Sequence, residues 1–201
     1  MICDAVLVGK KVVLVPYRAE HVERYHQWMS NPLLRELTAS DPLTLDEEYE
    51  MQKKWREDPD KLTFIILARA ADHDVSSLPM AGDVNLFLKG NPGDEDFEAE
   101  AEIMIADPVY RRRGFAYEAL RLMLSYVTAS SDEFGHFESP EDNPPPPSPL
   151  PIKPTCLVVR IAQSNAPSIS LFERLGFAVV KVVEVFEEVE LRYLTTRQHN
   201  A

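Results

Sequence analysis

Apolar residues along this chain recur with two periods. Residues 11–16 (KVVLVP) form a β-branched run that proline ends, and residues 63–68 (TFIILA), 80–88 (MAGDVNLFL) and 98–106 (EAEAEIMIA) are apolar throughout or alternate with polar positions. These runs predict strands, and the polar, Gly- and Pro-containing loops between the last three predict antiparallel succession. In residues 19–29 (AEHVERYHQWM) the spacing instead puts Val22, Tyr25 and Trp28 or Met29 on one face, which predicts a helix. Thr44 with Glu47 three residues on forms a capping box that opens a second helix to about Trp55, and Asp58-Pro59 stops it.

The longest helical pattern follows Gly114. Ala116, Ala119, Leu120, Met123, Leu124 and Val127 recur at i, i+3, i+4, i+7, i+8 and i+11, so an amphipathic helix with one buried stripe is expected. Residues 156–162 (CLVVRIA) predict a strand and residues 166–175 a helix ending at Gly176. Two further strands are expected around 179–185 and 189–194.

Between these elements, residues 130–154 hold eight of the sixteen prolines and a cluster of acids. Consecutive prolines impose polyproline II and remove backbone donors, so this insert is expected outside the sheet, as an exposed loop or a disordered insert. Its PxxP spacing is common in Pro-rich linkers and does not identify a partner. With 201 residues and no visible internal repeat, the chain fits a single domain spanning 1–201.

Charge narrows the ligands. A net charge of −12 repels nucleic acid and anionic membrane, so a polyanionic ligand has to be held locally and is expected to be small. The opening residues (MICDAVLVGKKVVLVPY) lack a basic n-region, and their apolar stretches are too short and too interrupted for a signal peptide or membrane span. A cytoplasmic protein is expected. Cys3, in the N-terminal tail, and Cys156, read as core, have neither CxxC spacing nor histidine partners, while His21 and His26 are not at i, i+4. No metal site is expected.

Three consecutive positive charges, Arg111, Arg112 and Arg113, stand directly before Gly114 and a helix start. A helix N-terminus offers free N–H groups and partial positive charge to phosphate, and glycine lets the backbone approach closely. A solvated arginine run would look the same. GxxxxGK[ST] and GxGxxG are both absent from the chain.

Two motifs in order change the balance. Arg111-x-x-Gly114-x-Ala116 resembles the [RQ]xxGx[GA] pyrophosphate loop of the GNAT acetyltransferases, and Asn165-x-x-Ser168 with Phe172-x-x-x-Gly176-Phe177 resembles their NxxAxxxYxxxGF motif. The resemblance runs from about Gly9 to Leu194 through GKKVVLVPY, LTASDPLTLDEEYEMQ, GDVNLF and EIMIADP, and is closest to the N-acetyltransferase 9-like branch. It implies an α/β GNAT fold: a central twisted, mixed, mostly antiparallel sheet flanked by helices, whose fourth and fifth strands splay apart at a β-bulge. Here those would be residues 99–106 and 156–162.

The resemblance also implies acetyl-CoA as co-substrate and a protein or peptide amine as acceptor, an N-terminal α-amine above all, attacked directly in a ternary complex. It places the backbone of Ile103, Met104 and Ile105 along the thioester and the pyrophosphate over Arg111, Arg112, Arg113, Gly114, Phe115 and Ala116. Asn165 would hold the pantetheine or a water, with Ser168 and Phe172 nearby. Removing a proton from the amine needs a base. Glu98, Glu100 and Glu102 alternate with apolar residues on one strand face, so Glu102 or Glu100 is the candidate, although acids on a solvated strand face are common. Phe172 stands where many GNAT enzymes have the tyrosine that protonates the thiolate, which leaves a water, Ser168 or Tyr117 to do so, or a thiolate that departs unprotonated. The departure keeps open a second reading, a binding module of the same fold without catalysis.

Overall fold

The computed structural model describes residues 1–69, 74–136 and 144–194, and the predicted strands all take places in one sheet. In chain order the strands are β1 (Leu7–Val8), β2 (Val12–Pro16), β3 (Lys61–Ala68), β4 (Met80–Lys89), β5 (Glu98–Ile105), β6 (Leu157–Ala162), β7 (Phe177–Val183) and β8 (Glu188–Tyr193). They lie side by side as β1-β2-β3-β4-β5-β6-β8-β7, antiparallel except for β5 against β6. The helices are α1 (Val22–Met29), α2 (Pro32–Leu37), α3 (Leu45–Glu57), α4 (Phe115–Thr128), α5 (Ser131–Phe134) and α6 (Ala166–Glu173). This is the mixed, mostly antiparallel sheet flanked by helices that the sequence predicts.

Alternation along the strands sorts side chains onto two cores. On one face Leu14, Phe64, Leu86, Ala99 and Leu157 pack with Leu120, Met123, Leu124 and Val127 of α4. On the other, Val13, Val15, Ile65 and Leu67 meet Val22, Tyr25 and Trp28 of α1, with Tyr49 and Trp55 of α3 at the margin. The capping box at the start of α3 is present. The Glu47 carboxylate accepts the Thr44 N–H at 2.8 Å, and the Glu47 N–H donates to the Thr44 hydroxyl at 3.3 Å.

Four expectations need correction. Helix α4 is buried on more than one stripe, since Leu122, Ser125, Tyr126 and Thr128 are buried too. The second covering comes partly from the N-terminal residues, which reach Leu122 and Tyr126, and partly from the Pro-rich segment. It stays outside the sheet, but Phe134, Leu150 and Ile152 near its ends are buried in the α4-side core, and the Ile152 N–H donates to the Val127 carbonyl at 2.9 Å. Residues 137–143 of that segment lie outside the described residues. Nor is the N-terminus a tail: Met1, Cys3 and Ala5 are buried, and the Cys3 sulfur lies 3.4 Å from the Tyr126 hydroxyl. Cys156 is only half-buried, against the edge of the same core.

Candidate functional site

The site begins where the sheet opens. Strands β5 and β6 pair only at Ala99↔Leu157 and Glu100↔Val158, so residues 101–105 have no strand partner on the β6 side. The expected bulge is absent from the β4–β5 ladder, which keeps one register from Lys89↔Glu98 to Gly82↔Ile105. The V is therefore made by early termination of the parallel pairing. Gly82 holds the inner side of this edge, because a Cβ there would come within 1.9 Å of the Met104 carbonyl oxygen. Backbone polar groups left without a sheet partner are available to an extended, amide-bearing ligand.

Past the end of β5 the chain turns back to start α4. Gly114 is the helix N-cap at φ +84°, a left-handed conformation that costs a side-chain-bearing residue strain, and Arg112 has φ +60°. Among the described residues the N–H groups of 112–117 have no backbone partner, which makes an anion cradle at the positive end of α4. The arginines do not all face that cradle. Arg111 donates from Nε to the Ile105 carbonyl at 2.9 Å and from Nη2 to Ala106 at 3.1 Å, tying down the end of β5. Arg113 donates to the Val109 carbonyl at 3.3 Å and leans over the Phe115 ring.

The three acids of β5 share a face, as alternation predicts, but have different surroundings. Glu98 and Glu100 belong to an ion-pair network at the base of the V. Arg160 of β6 reaches Glu98 at 2.7 Å, Glu100 at 2.8 Å and Glu190 of β8 at 3.0 Å; Lys89 also pairs with Glu100, and Arg192 with Glu98 and Glu190. Burial pushes the Glu98 carboxyl up, but the hydrogen bonds and charges of Arg160 and Arg192 outweigh it and leave its pKa below the ordinary value. Glu102, beyond the last β5–β6 pair, makes no hydrogen bond or ion pair among the described residues and keeps an exposed side chain. Crowding by protein and the Glu100 charge raise its pKa, against the pull of Lys61 and Lys89.

Beside Glu102 lies a polar row that residue spacing did not single out. The register aligns Thr63, Asn85 and Glu102 across β3, β4 and β5. Thr63 donates to Asn85 at 2.7 Å, and the Asn85 amide donates to Asp83 at 2.6 Å. Asp83 is 2% exposed and its Oδ1 has no partner. Burial pushes it up to about 7, against the Asn85 hydrogen bond and the Lys61 charge. Lys61, also buried, holds its ammonium 3.2 Å from the Trp55 ring centre and 3.9 Å from that of Phe87, and burial lowers it to about 8. The polar letters in GDVNLF were the available signal; the missing information was which strand lay opposite.

At the far side of the V, Asn165 caps α6 by accepting the Ser168 N–H at 3.2 Å. Phe172 is sealed in the core, 2% exposed and edge-on to Phe177 at 5.3 Å. Tyr117, half-buried, lies under the guanidinium groups of Arg121 and Arg174.

An opened β5/β6 pair followed by an N–H cradle is a distinctive order of parts, and the sequence model of the acetyltransferase (GNAT) domain matches residues 11–178. The chain belongs to the GNAT acetyltransferase family. Membership makes it an acetyl-CoA-dependent acyltransferase. The alpha/beta-tubulin-N-acetyltransferase 9 of Drosophila melanogaster is 45% identical over 188 residues, covering 92% of this chain and 84% of that protein. Its namesake from Mus musculus is 43% identical over 193 residues, covering 94% and 70%. Among solved structures, the Vibrio cholerae spermidine N-acetyltransferase in complex with CoA and spermine superposes with a TM-score of 0.64 over 92% of this chain and 94% of that one, at 17% identity. At that identity the likeness speaks for the GNAT fold.

Proposed function

We propose that this GNAT protein transfers the acetyl group of acetyl-CoA to the α-amine of a protein or peptide, by direct attack in a ternary complex. The observation that carries the reading is Glu102, an open carboxylate one step past the point where β5 leaves β6. The residues present suit the coenzyme. The cradle at 112–117 offers N–H groups to the pyrophosphate, and the unpaired edge at Ile103, Met104 and Ile105 offers its backbone to the pantetheine amides and the thioester carbonyl. Asn165 and Ser168, at the start of α6, flank the same opening.

In this reading Glu102 accepts the ammonium proton through a water, the amine nitrogen bonds to the acyl carbon, the C–S bond breaks to release the thiolate, and the second proton lost from nitrogen leaves through water to that thiolate or to solvent. Glu100, engaged by Lys89 and Arg160, fixes the base of the V and leaves the proton to Glu102. A macromolecular acceptor is favoured by exposed apolar side chains at the same end of the sheet. The β8 residue Glu188 pairs with Ala162 at the open end of β6, and just before it Val185 and Phe186 are 88% and 71% exposed. A protein has apolar surface to cover them; a small polyamine does not. The relatives' names point to tubulin chains as the first acceptors to test.

Phe172 supports the second reading, a coenzyme-binding module, because it has no proton to give. Thiol release separates the two. Peptides carrying tubulin N-terminal sequences should release CoA, and the same peptides with a blocked α-amine should not. Tight binding of acetyl-CoA with no thiol release from any peptide or polyamine would leave only the binding module.

A further inference from the structure

The coenzyme's phosphates need positive charge in a chain of net charge −12, yet two of the three arginines before Gly114 are turned to backbone carbonyls. A different cation stands at the cradle. The turn between β1 and β2 brings the Lys11 ammonium to the Arg113 carbonyl at 2.8 Å, and a Cβ placed on Gly114 would lie 3.0 Å from that same nitrogen. The turn is fastened there by Glu118 in the first turn of α4. One Glu118 oxygen accepts the Lys10 N–H at 3.0 Å, and the other accepts those of Lys11 at 2.6 Å and Val12 at 3.0 Å. Three N–H groups hold that carboxylate on the β1–β2 side, and Arg69 donates to the Gly9 carbonyl on the far side of the turn.

This is an arrangement for holding one ammonium in place. Lysine has three N–H donors, so the bond to Arg113 leaves two. They sit beside the free N–H groups of 112–117, on an exposed side chain whose backbone is pinned at three successive residues. Fixing the stem in advance lowers the entropy that phosphate binding would otherwise cost. We infer that Lys11 is a ligand of the coenzyme pyrophosphate, contributed by the β1–β2 turn to the loop that opens α4.

The inference rests on the proposed coenzyme site, and Lys11→Met tests it separately, since methionine keeps much of the stem and loses the charge. By calorimetric titration, Lys11→Met should weaken both CoA and 3′-dephospho-CoA about tenfold, with a shallower dependence on salt, while Lys11→Arg stays within about threefold of wild type. With S-acetylpantetheine, which carries no phosphate, the acyl-donor KM of Lys11→Met should match that of wild type, an outcome that mere distortion of the loop would not give. Unchanged CoA affinity in the folded Met variant overturns the role of Lys11. A loss seen with CoA but not with 3′-dephospho-CoA also overturns it, by moving the contact to the 3′-phosphate. Wild-type protein that binds neither coenzyme overturns the functional reading and this inference together.

Discussion

Arg160→Met should loosen the hinge of the V. Two nitrogens of Arg160 serve Glu98, Glu100 and Glu190, and Glu100 is only 7% exposed. Losing the guanidinium leaves Glu100 with Lys89 alone and Glu98 with Arg192 alone. Breaking a fully buried ion pair costs about 3–5 kcal/mol and an exposed one about 0–1 kcal/mol. With its acid buried and its base partly exposed, this cluster belongs between those limits, at about 2–3 kcal/mol. For a chain of this size each kcal/mol moves Tm by roughly 2–4 °C, so a fall of about 4–12 °C is expected at pH 7.

The sign of the pH dependence follows from Glu98, whose pKa is held below its unfolded value. Its contribution is present above the unfolded pKa, roughly 4.3 for a glutamate, and is lost as pH falls through the folded one. The gap between wild type and Arg160→Met should therefore narrow on acidification below about pH 4. Adding Glu100→Gln to Arg160→Met should recover part of the loss, since it removes a buried charge left with one partly exposed partner. Thermal melts of wild type, Glu100→Gln, Arg160→Met and the double variant at pH 7 and about pH 3 measure all of this. A Tm within a degree of wild type for Arg160→Met at pH 7, or a gap that widens in acid, would refute the reasoning.

Other substitutions probe the chemistry and the corrected parts of the fold. Glu102→Gln should lower turnover about 10²-fold with acetyl-CoA affinity unchanged, and the acid limb of the pH–rate profile, to which the raised Glu102 pKa contributes, should shift; steady-state kinetics with a peptide acceptor reads both. Gly114→Val forces a β-branched residue to φ +84° against the Lys11 ammonium, so the acetyl-CoA dissociation constant should rise more than about tenfold by calorimetry. Leu150→Ala, in the segment expected to be exposed, should cost about 2–5 kcal/mol in denaturant unfolding, because that side chain is buried.

The readable parts of the sequence were those whose information is local. Period-two and period-3.6 patterns fixed strand and helix type, Thr44 and Glu47 marked a helix start, and the Arg111–Ala116 loop sits on the helix its own sequence predicts. Local signals were also overlooked: Asn31 followed by Pro32 is an N-cap with proline at the first helical position, and α2 starts there with the Leu33 N–H bonded to Asn31. Strand β1, two residues long, is too short for any period to show. The rest depends on what lies across the sheet. Glu98, Glu100 and Glu102 are equivalent by spacing, and only the end of the β6 pairing at Glu100 separates two clamped carboxylates from an open one. Lys11 lies 102 positions from Arg113 in sequence, and nothing near it in the chain announces a phosphate.

That leaves the missing acid at position 172 and the kind of amine this site suits. Protonating the departing thiolate is a modest requirement, because a thiol pKa of about 8.5 makes the thiolate a tolerable leaving group near neutrality. Deprotonating the amine is where acceptors differ. At pH 7 an α-amine of pKa about 7.8 is neutral in roughly one molecule in seven, whereas a lysine side chain of pKa about 10.4 is neutral in about one in 2,500. The difference is roughly 350-fold, or about 3.5 kcal/mol, which a site acting on lysine has to supply through a stronger base or a desolvated amine pocket. Here the candidate base is one solvent-open glutamate, the two acids beside it are neutralised by Arg160, Lys89 and Arg192, and the aromatic residue of the second motif is buried against Phe177. Under the proposed function, such a site is better matched to an amine that is already partly neutral than to lysine. The single unassisted base, rather than the phenylalanine at position 172, is therefore what supports the proposed α-amine acceptor.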